Sequence, residues 1–335
     1  MKHIFKRCYI FLLCLILLAV GTAGLIGCSG PQSSAADDGS ITVVCTNFAG
    51  FDLTRGLLTN YLMVGGEGEV DLILLGKDGQ DMHSYEPTAA DIITISSADI
   101  LVSVGAEQWL DASVQSSGNE NLVRVSMMAV CDPIEGDHDH DHGHDDRHDD
   151  RHDDGHSDDS CALIGTDEHV WLSVKNAILI SQAIEDALCQ VDADHAYAWE
   201  SCGEAYRGEL TALWGDYTAM MEQAVRDTVV IADRYPFAYL FRDLGLNCVA
   251  AFPGCSSETS ASFATQTLLI EKTKELMLPY ILIMEGSDGK VAATVAAETG
   301  AEVLTLNSMQ VVTDRGSTYI EIMRQNLENL KKALQ

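Results

Sequence analysis

The residues of this chain best suited to chemistry are its histidines, and they are unevenly placed. Seven of eleven, His138, His140, His142, His144, His148, His152 and His156, fall between Asp137 and His156, interleaved with aspartates and with Arg147 and Arg151. Neutral imidazole and carboxylate are ligands that divalent zinc, nickel, copper or manganese accept. The first four alternate along the chain, whereas His144, His148, His152 and His156 recur every four residues and would share one face if an ion ordered a helix there. From Gly136 to Ser160 there is no apolar side chain. Such a segment buries nothing and is expected to remain unfolded by itself, as a loop or insert. Metal capture accounts for the concentration of imidazole; the blander reading, a solvated acidic linker, leaves it unexplained.

Three histidines remain outside this tract and the N-terminal segment. His83 stands in Gln80-Asp81-Met82-His83-Ser84-Tyr85-Glu86-Pro87, and His169 in Thr166-Asp167-Glu168-His169-Val170-Trp171-Leu172. Each has acidic residues within three positions that could orient its ring. His195 lies at the start of a long helical stretch and reads as a surface residue.

The surrounding pattern shows what must hold these side chains. Strands are expected over 41–46, 70–75, 100–104 and 122–125, with helices near 53–64, 89–96 and 107–114 between them. His83 then follows a strand directly, at the carboxyl edge of a sheet. After the tract, helices are expected over 170–188 and 194–225, the second roughly 45 Å long and proline-free. The alternation restarts with strands over 228–232, 248–252, 280–284 and 303–306 and helices over 237–244, 262–276, 291–298 and 318–334. The fold class expected is therefore α/β: two lobes with parallel sheets, joined by one long rigid helix, with a cleft between them. Gly65-Gly66-Glu67-Gly68 reads as a turn.

Lys2, Lys6 and Arg7 precede an apolar run from Cys8 to Val20, the make-up of a secretory leader. Leu25-Ile26-Gly27-Cys28 resembles a bacterial lipobox, which makes Cys28 the expected lipidation site. The expected divisions are 1–27 signal peptide, 28–39 tether, 40–169 first lobe with the loop 136–160, 170–226 linking helices and 227–335 second lobe. The formal charge is −31, and because the leader holds three cations and no acids, the remainder stands near −34. Such a surface repels nucleic acid and anionic lipid and attracts cations. Seven cysteines follow Cys28 with no CxxC pair, which excludes a zinc ribbon. Cys131 and Cys161 flank the tract and could close its base with a disulfide, or remain two free thiols.

The leader, the strand-to-HSYEP loop at His83, the acidic histidine loop, EHVWL at 168–172, the long linking helix and the ending TYIEIMRQNLENLKKAL together resemble the zinc/manganese solute-binding proteins of ABC importers, the cluster A-I or adhesin-like group. The resemblance spans nearly the whole mature chain, and the order of the motifs is more specific than any one of them. It implies a single metal between the lobes, with His83 and His169 matching two first-lobe ligands. The two remaining ligand positions fall on Arg234 and Asn307. Arginine has no lone pair to give and asparagine offers only a neutral carbonyl oxygen. If the second lobe ligates at all, Glu285 is the best-placed donor, followed by Glu258 and Asp233; alternatively Glu285 pairs with Arg234. Cys255 could ligate as thiolate, though a lone cysteine is more often inert.

The function expected is thus a non-enzymatic, membrane-anchored monomeric receptor. It would bind zinc, or manganese or another divalent transition metal, and deliver it to the permease of an ABC importer. The alternative is a surface adhesin or metal buffer whose cleft no longer binds metal tightly. No HExxH, no GxSxG elbow and no phosphate-binding glycine loop point to an enzyme.

Overall fold

Among the described residues, short β-branched runs form eight parallel strands in two sheets of the same plan. The computed structural model describes residues 40–63, 70–135, 166–252, 254, 261–311 and 314–335. The leader with Cys28, the tether, the glycine turn at 65–68, the histidine tract, Cys161, Cys255 and Glu258 lie outside the described residues. The portion Ser40–Gln335 is one compact unit.

The first sheet contains β1 (Ile41–Cys45), β2 (Val70–Leu74), β3 (Ile100–Ser103) and β4 (Val123–Ser126), in the order β2-β1-β3-β4. The second contains β5 (Thr228–Arg234), β6 (Asn247–Phe252), β7 (Tyr280–Met284) and β8 (Glu302–Leu306), in the order β6-β5-β7-β8. Every pairing is parallel. In each sheet the strand order reverses beside the first strand. Such a switch point opens a crevice at the carboxyl strand ends.

Parallel sheets need cover on both faces, and the alternation along each strand supplies two apolar faces. Val44 and Leu101 face outward with Leu75, Tyr85 and Ile95, under α2 (Ala89–Ser96) and α3 (Leu110–Ser117). Val230, Val249 and Ile281 do the same in the second sheet, under α7 (Phe263–Glu275) and α8 (Lys290–Thr299). The neighbouring positions Val43, Cys45, Ile100 and Val102, and Val229, Ile231, Leu282 and Met284, turn inward. They share one continuous core with α1 (Phe48–Met63), α4 (Val174–Val191), α5 (Ala196–Gln223), α6 (Ala238–Leu244) and α9 (Tyr319–Leu334). The two sheets are therefore welded through a common interior.

The long helix α5 has 28 residues, a length of about 42 Å. It buries one stripe: Trp199, Cys202, Tyr206, Leu210, Leu213, Tyr217 and Met220. Trp199 stacks on Tyr61 of α1, with ring centroids 3.7 Å apart. Gly203 leaves the slot in which Glu185 of α4 meets Arg207, and a β-carbon there would overlap the Glu185 carboxylate. The closing helix starts from a capping box between Thr318 and Glu321.

Three helix starts differ from the sequence expectation, each because a side chain intervenes. α1 begins a turn early, since Asn47 Oδ1 accepts from the Gly50 amide at 2.9 Å. α3 begins late, because Glu107 instead closes the preceding turn, accepting from Val104 N, Gly105 N and Thr46 Oγ1. The expected helix from Val170 is a 3-10 turn over Val170–Leu172 and then α4, capped by Ser173.

The disulfide considered between Cys131 and Cys161 does not form. Cys131 is a free, buried thiol in the core beyond β4, and burial pushes its pKa up to about 12. Cys45, Cys189 and Cys202 are also free. Cys248 is disulfide-bonded.

Candidate metal centre

Local hydrogen bonds aim both histidines. After β2, Asp81 caps a 3-10 turn over Met82–Ser84; its Oδ1 accepts from the His83 amide at 3.0 Å. Tyr85 anchors the far side of the turn, buried edge-on against Trp109 with centroids 5.4 Å apart. Thr88 and Asp91 then form the capping box of α2, so the chain leaves the loop at once. The His83 side chain is left half-buried at the sheet edge.

His169 is buried, at the start of the turn formed by Val170, Trp171 and Leu172, all fully buried. Trp171 Nε1 donates to Ser308 O at 2.9 Å, and Asn176 Nδ2 to Val170 O at 3.1 Å. Asp167 Oδ1 accepts from both the His169 amide, at 2.7 Å, and its Nδ1, at 2.8 Å. Tyr239 of α6 donates its hydroxyl to Asp167 O at 2.7 Å, so the second lobe braces this loop too.

The two rings meet at their Nε2 atoms, 3.3 Å apart. Two nitrogens each bound at about 2.0–2.1 Å to one tetrahedral ion are separated by about 3.3 Å. The pair thus has the spacing such an ion requires. On the other side of each ring a carboxylate holds Nδ1: Asp167 for His169 and Glu168 for His83, the latter at 3.1 Å. A carboxylate on Nδ1 favours the tautomer in which Nε2 carries the lone pair that a metal takes.

Among the described residues, His83, Glu168 and His169 form a group whose donor atoms all lie within 4.8 Å of one another. The sequence marked Glu168 as an acid able to orient a ring, and the fold places it on the Nδ1 side of His83. Burial pushes its carboxyl up, but the hydrogen bond and charge from His83, with a contribution from His169, outweigh that and hold it below the ordinary glutamate value. An ionised carboxylate with two neutral imidazoles suits zinc, and less selectively manganese. A cavity of about 480 Å³ abuts His83 and Glu168, lined also by Tyr85, Pro87 and Trp109.

Among the described residues, the second lobe adds no donor to this group. Glu285, the donor favoured from sequence, follows β7, but its oxygens accept from Ser308 N at 2.7 Å, Ser308 Oγ at 2.6 Å and Gln310 N at 3.2 Å. Met309, at φ 60°, curls the loop back so that these groups point at the carboxylate. Glu285 therefore serves the loop after β8. Nor does it pair with Arg234, whose Nη1 lies 3.6 Å from Asp81 Oδ2 in the first lobe. Asp233 staples β5 to β7, accepting from Arg234 N and Met284 N. Asn307 Oδ1 accepts from Met309 N, and its backbone pairs with Asn326 of α9. His195 is exposed and bonded to Asp192.

Burial raises the Glu285 carboxyl above the ordinary glutamate value, and the bonds from Ser308 and Gln310 offset only part of that. A carboxyl held above its unfolded value favours the folded state at low pH, and this contribution is lost as pH rises through the folded value. Between about pH 4 and about pH 7, the urea midpoint of Glu285→Gln should therefore fall less than that of the wild type. Parallel pH profiles would show that Glu285 carries no such linkage.

Comparison with known proteins matches this arrangement. The model of the family described as zinc-uptake complex component A periplasmic, ZnuA, covers residues 61–333. The high-affinity zinc uptake system protein ZnuA of Bacillus subtilis is 29% identical over 334 residues, covering 97% of each chain. The zinc-binding protein AdcA of Streptococcus pyogenes is 28% identical over 301 residues, 88% of this chain but 56% of AdcA, so the chain spans little more than half of that relative. Among solved structures, the metal-dependent lipoprotein YcdH of Bacillus subtilis superposes with a TM-score of 0.68 at 27% identity, covering 88% of this chain and 99% of YcdH. With four-fifths of its length matched by the family model and a fold in agreement, the chain belongs to the ZnuA family of periplasmic zinc-uptake components, a family of solute-binding transport proteins rather than enzymes.

Proposed function

We propose that this chain is an extracytoplasmic receptor, anchored to the membrane through Cys28, that captures zinc and delivers it to the permease of an ABC importer. The observation that carries this reading is the His83–His169 pair, with Nε2 atoms 3.3 Å apart and each Nδ1 held by a carboxylate. His83 and His169 ligate the ion through Nε2, and Glu168 orients the His83 ring from its Nδ1 side. The names of the bacillar and streptococcal relatives, which refer to zinc, support the choice of metal. The divisions at 27, 39, 169 and 226 give a leader, a tether and two lobes spanned by the linking helices.

In this reading the histidine tract is an accessory. Its imidazoles and carboxylates raise the local concentration of ions beside the cleft, bind several weakly and pass them on. Calorimetric titration of the mature chain with zinc, with and without residues 136–160, separates the roles. Deletion should remove the weak, multiple binding and leave one tight site. Loss of all zinc binding with the tract would instead make the protein a metal buffer with an inactive cleft.

A further inference from the structure

We propose that Arg234 is a positioning residue, through which the second lobe grips the metal site by pairing with Asp81 rather than by donating a ligand. The inference rests on the zinc reading above. Arg234 ends β5, where the register with β6 shifts between Ile231 and Arg234. Such an irregularity re-aims the side chains beyond it. Asp233 then fixes the backbone, taking the Arg234 amide on Oδ1 at 2.8 Å and the Met284 amide on Oδ2 at 3.3 Å. Held in this way, the Arg234 guanidinium reaches across the cleft to Asp81 Oδ2, at 3.6 Å.

Asp81 is the residue through which this contact acts on the metal site. Its other oxygen accepts from the His83 amide and so sets the turn that presents the His83 ring. Arg234 thus stands two contacts from a metal-binding nitrogen, and its charge biases which way Asp81 faces. The same loop is fastened to the second lobe at two further points. Asp81 bridges Val311 while the Met82 amide donates to Gln310 O at 3.2 Å, and Arg315 Nε donates to Asp78 at 2.5 Å. Arginine cannot coordinate a cation, but its planar fork suits a carboxylate. The ion pair therefore closes the cleft over His83 without occupying a coordination position.

The experiment is a double-mutant cycle on the mature chain with Arg234→Gln, Asp81→Asn and both. One equivalent of zinc is loaded, and the slowest release phase is followed after mixing with excess chelator. Both single variants should release zinc about fivefold faster, the upper range for a partly exposed pair, and the double variant no faster than either. Arg234→Lys should recover part of the loss, and wild-type release alone should quicken with salt. In the metal-free protein, amide exchange at Met82 and His83 should rise in Arg234→Gln while the thermal midpoint holds. Wild-type release rates and exchange in Arg234→Gln, or single effects that add in the double variant, would overturn the proposal. A wild type that takes no zinc, but whose Met82 and His83 amides still respond to Arg234→Gln, would overturn the zinc reading and leave the clamp standing.

Discussion

Replacing His83 and His169 together by alanine should abolish tight one-to-one zinc binding in the protein lacking residues 136–160. Each single replacement should weaken it by more than about a hundredfold, since loss of even an outer partner of a metal ligand costs 10–100-fold. The expectation follows from the meeting of the two Nε2 atoms at 3.3 Å: removing one leaves a single imidazole, too few donors to compete with water. The fold should survive at His83, an exposed residue of a surface loop. Alanine at the buried His169 leaves Asp167 Oδ1 with only its backbone donor and should also lower stability modestly. Competition with a chelator of known zinc affinity, alongside a thermal melt, reads both effects. Tight binding retained in the double variant would move the site elsewhere.

The second large effect is on stability. Trp171→Ala should destabilise the protein by about 3–5 kcal/mol, the usual cost of emptying a buried tryptophan site. The ring is fully buried and meets His169 edge-on at 5.3 Å. Its Nε1 donates to Ser308 O, its own carbonyl accepts from Tyr319 Oη at 2.8 Å, and both partners belong to the second lobe. The substitution therefore opens a void in the shared core and orphans a carbonyl of the loop that binds Glu285. Urea unfolding should show the loss in midpoint, and zinc affinity should fall with it because His169 loses its packing. Trp171→Phe separates the causes. It keeps most of the ring volume and should cost only about 1–2 kcal/mol, mainly for the missing hydrogen bond. Equal losses in the two variants would show that packing contributes little.

These effects bear on how much could be read without the fold. Each of the eight described strands lies within about two residues of its expected bounds, because a short continuous run of valine, isoleucine and leucine between polar turns is what a strand covered on both faces requires. The helix starts were less legible. Asn47, Glu107 and Ser173 decide them through single side-chain hydrogen bonds, and the same residue types sit in turns as readily as in caps.

The histidine tract is the most conspicuous candidate for cation binding in the sequence. In the function proposed above it serves as an accessory to the His83–His169 pair. The sequence alone determined that His83 and His169 lie at loop positions beside acids, that Arg234 cannot ligate and that two parallel sheets flank a long helix. Tertiary structure decided that 86 residues of separation close to 3.3 Å, and that Glu168 comes against His83 Nδ1. It also decided that Glu285 turns to Ser308 and that Arg234 finds Asp81. The reason is physical. Residue type fixes which atoms can give or accept a lone pair, but a carboxylate bonds whichever donors the packed backbone brings within about 3 Å. Only the folded chain sets that distance.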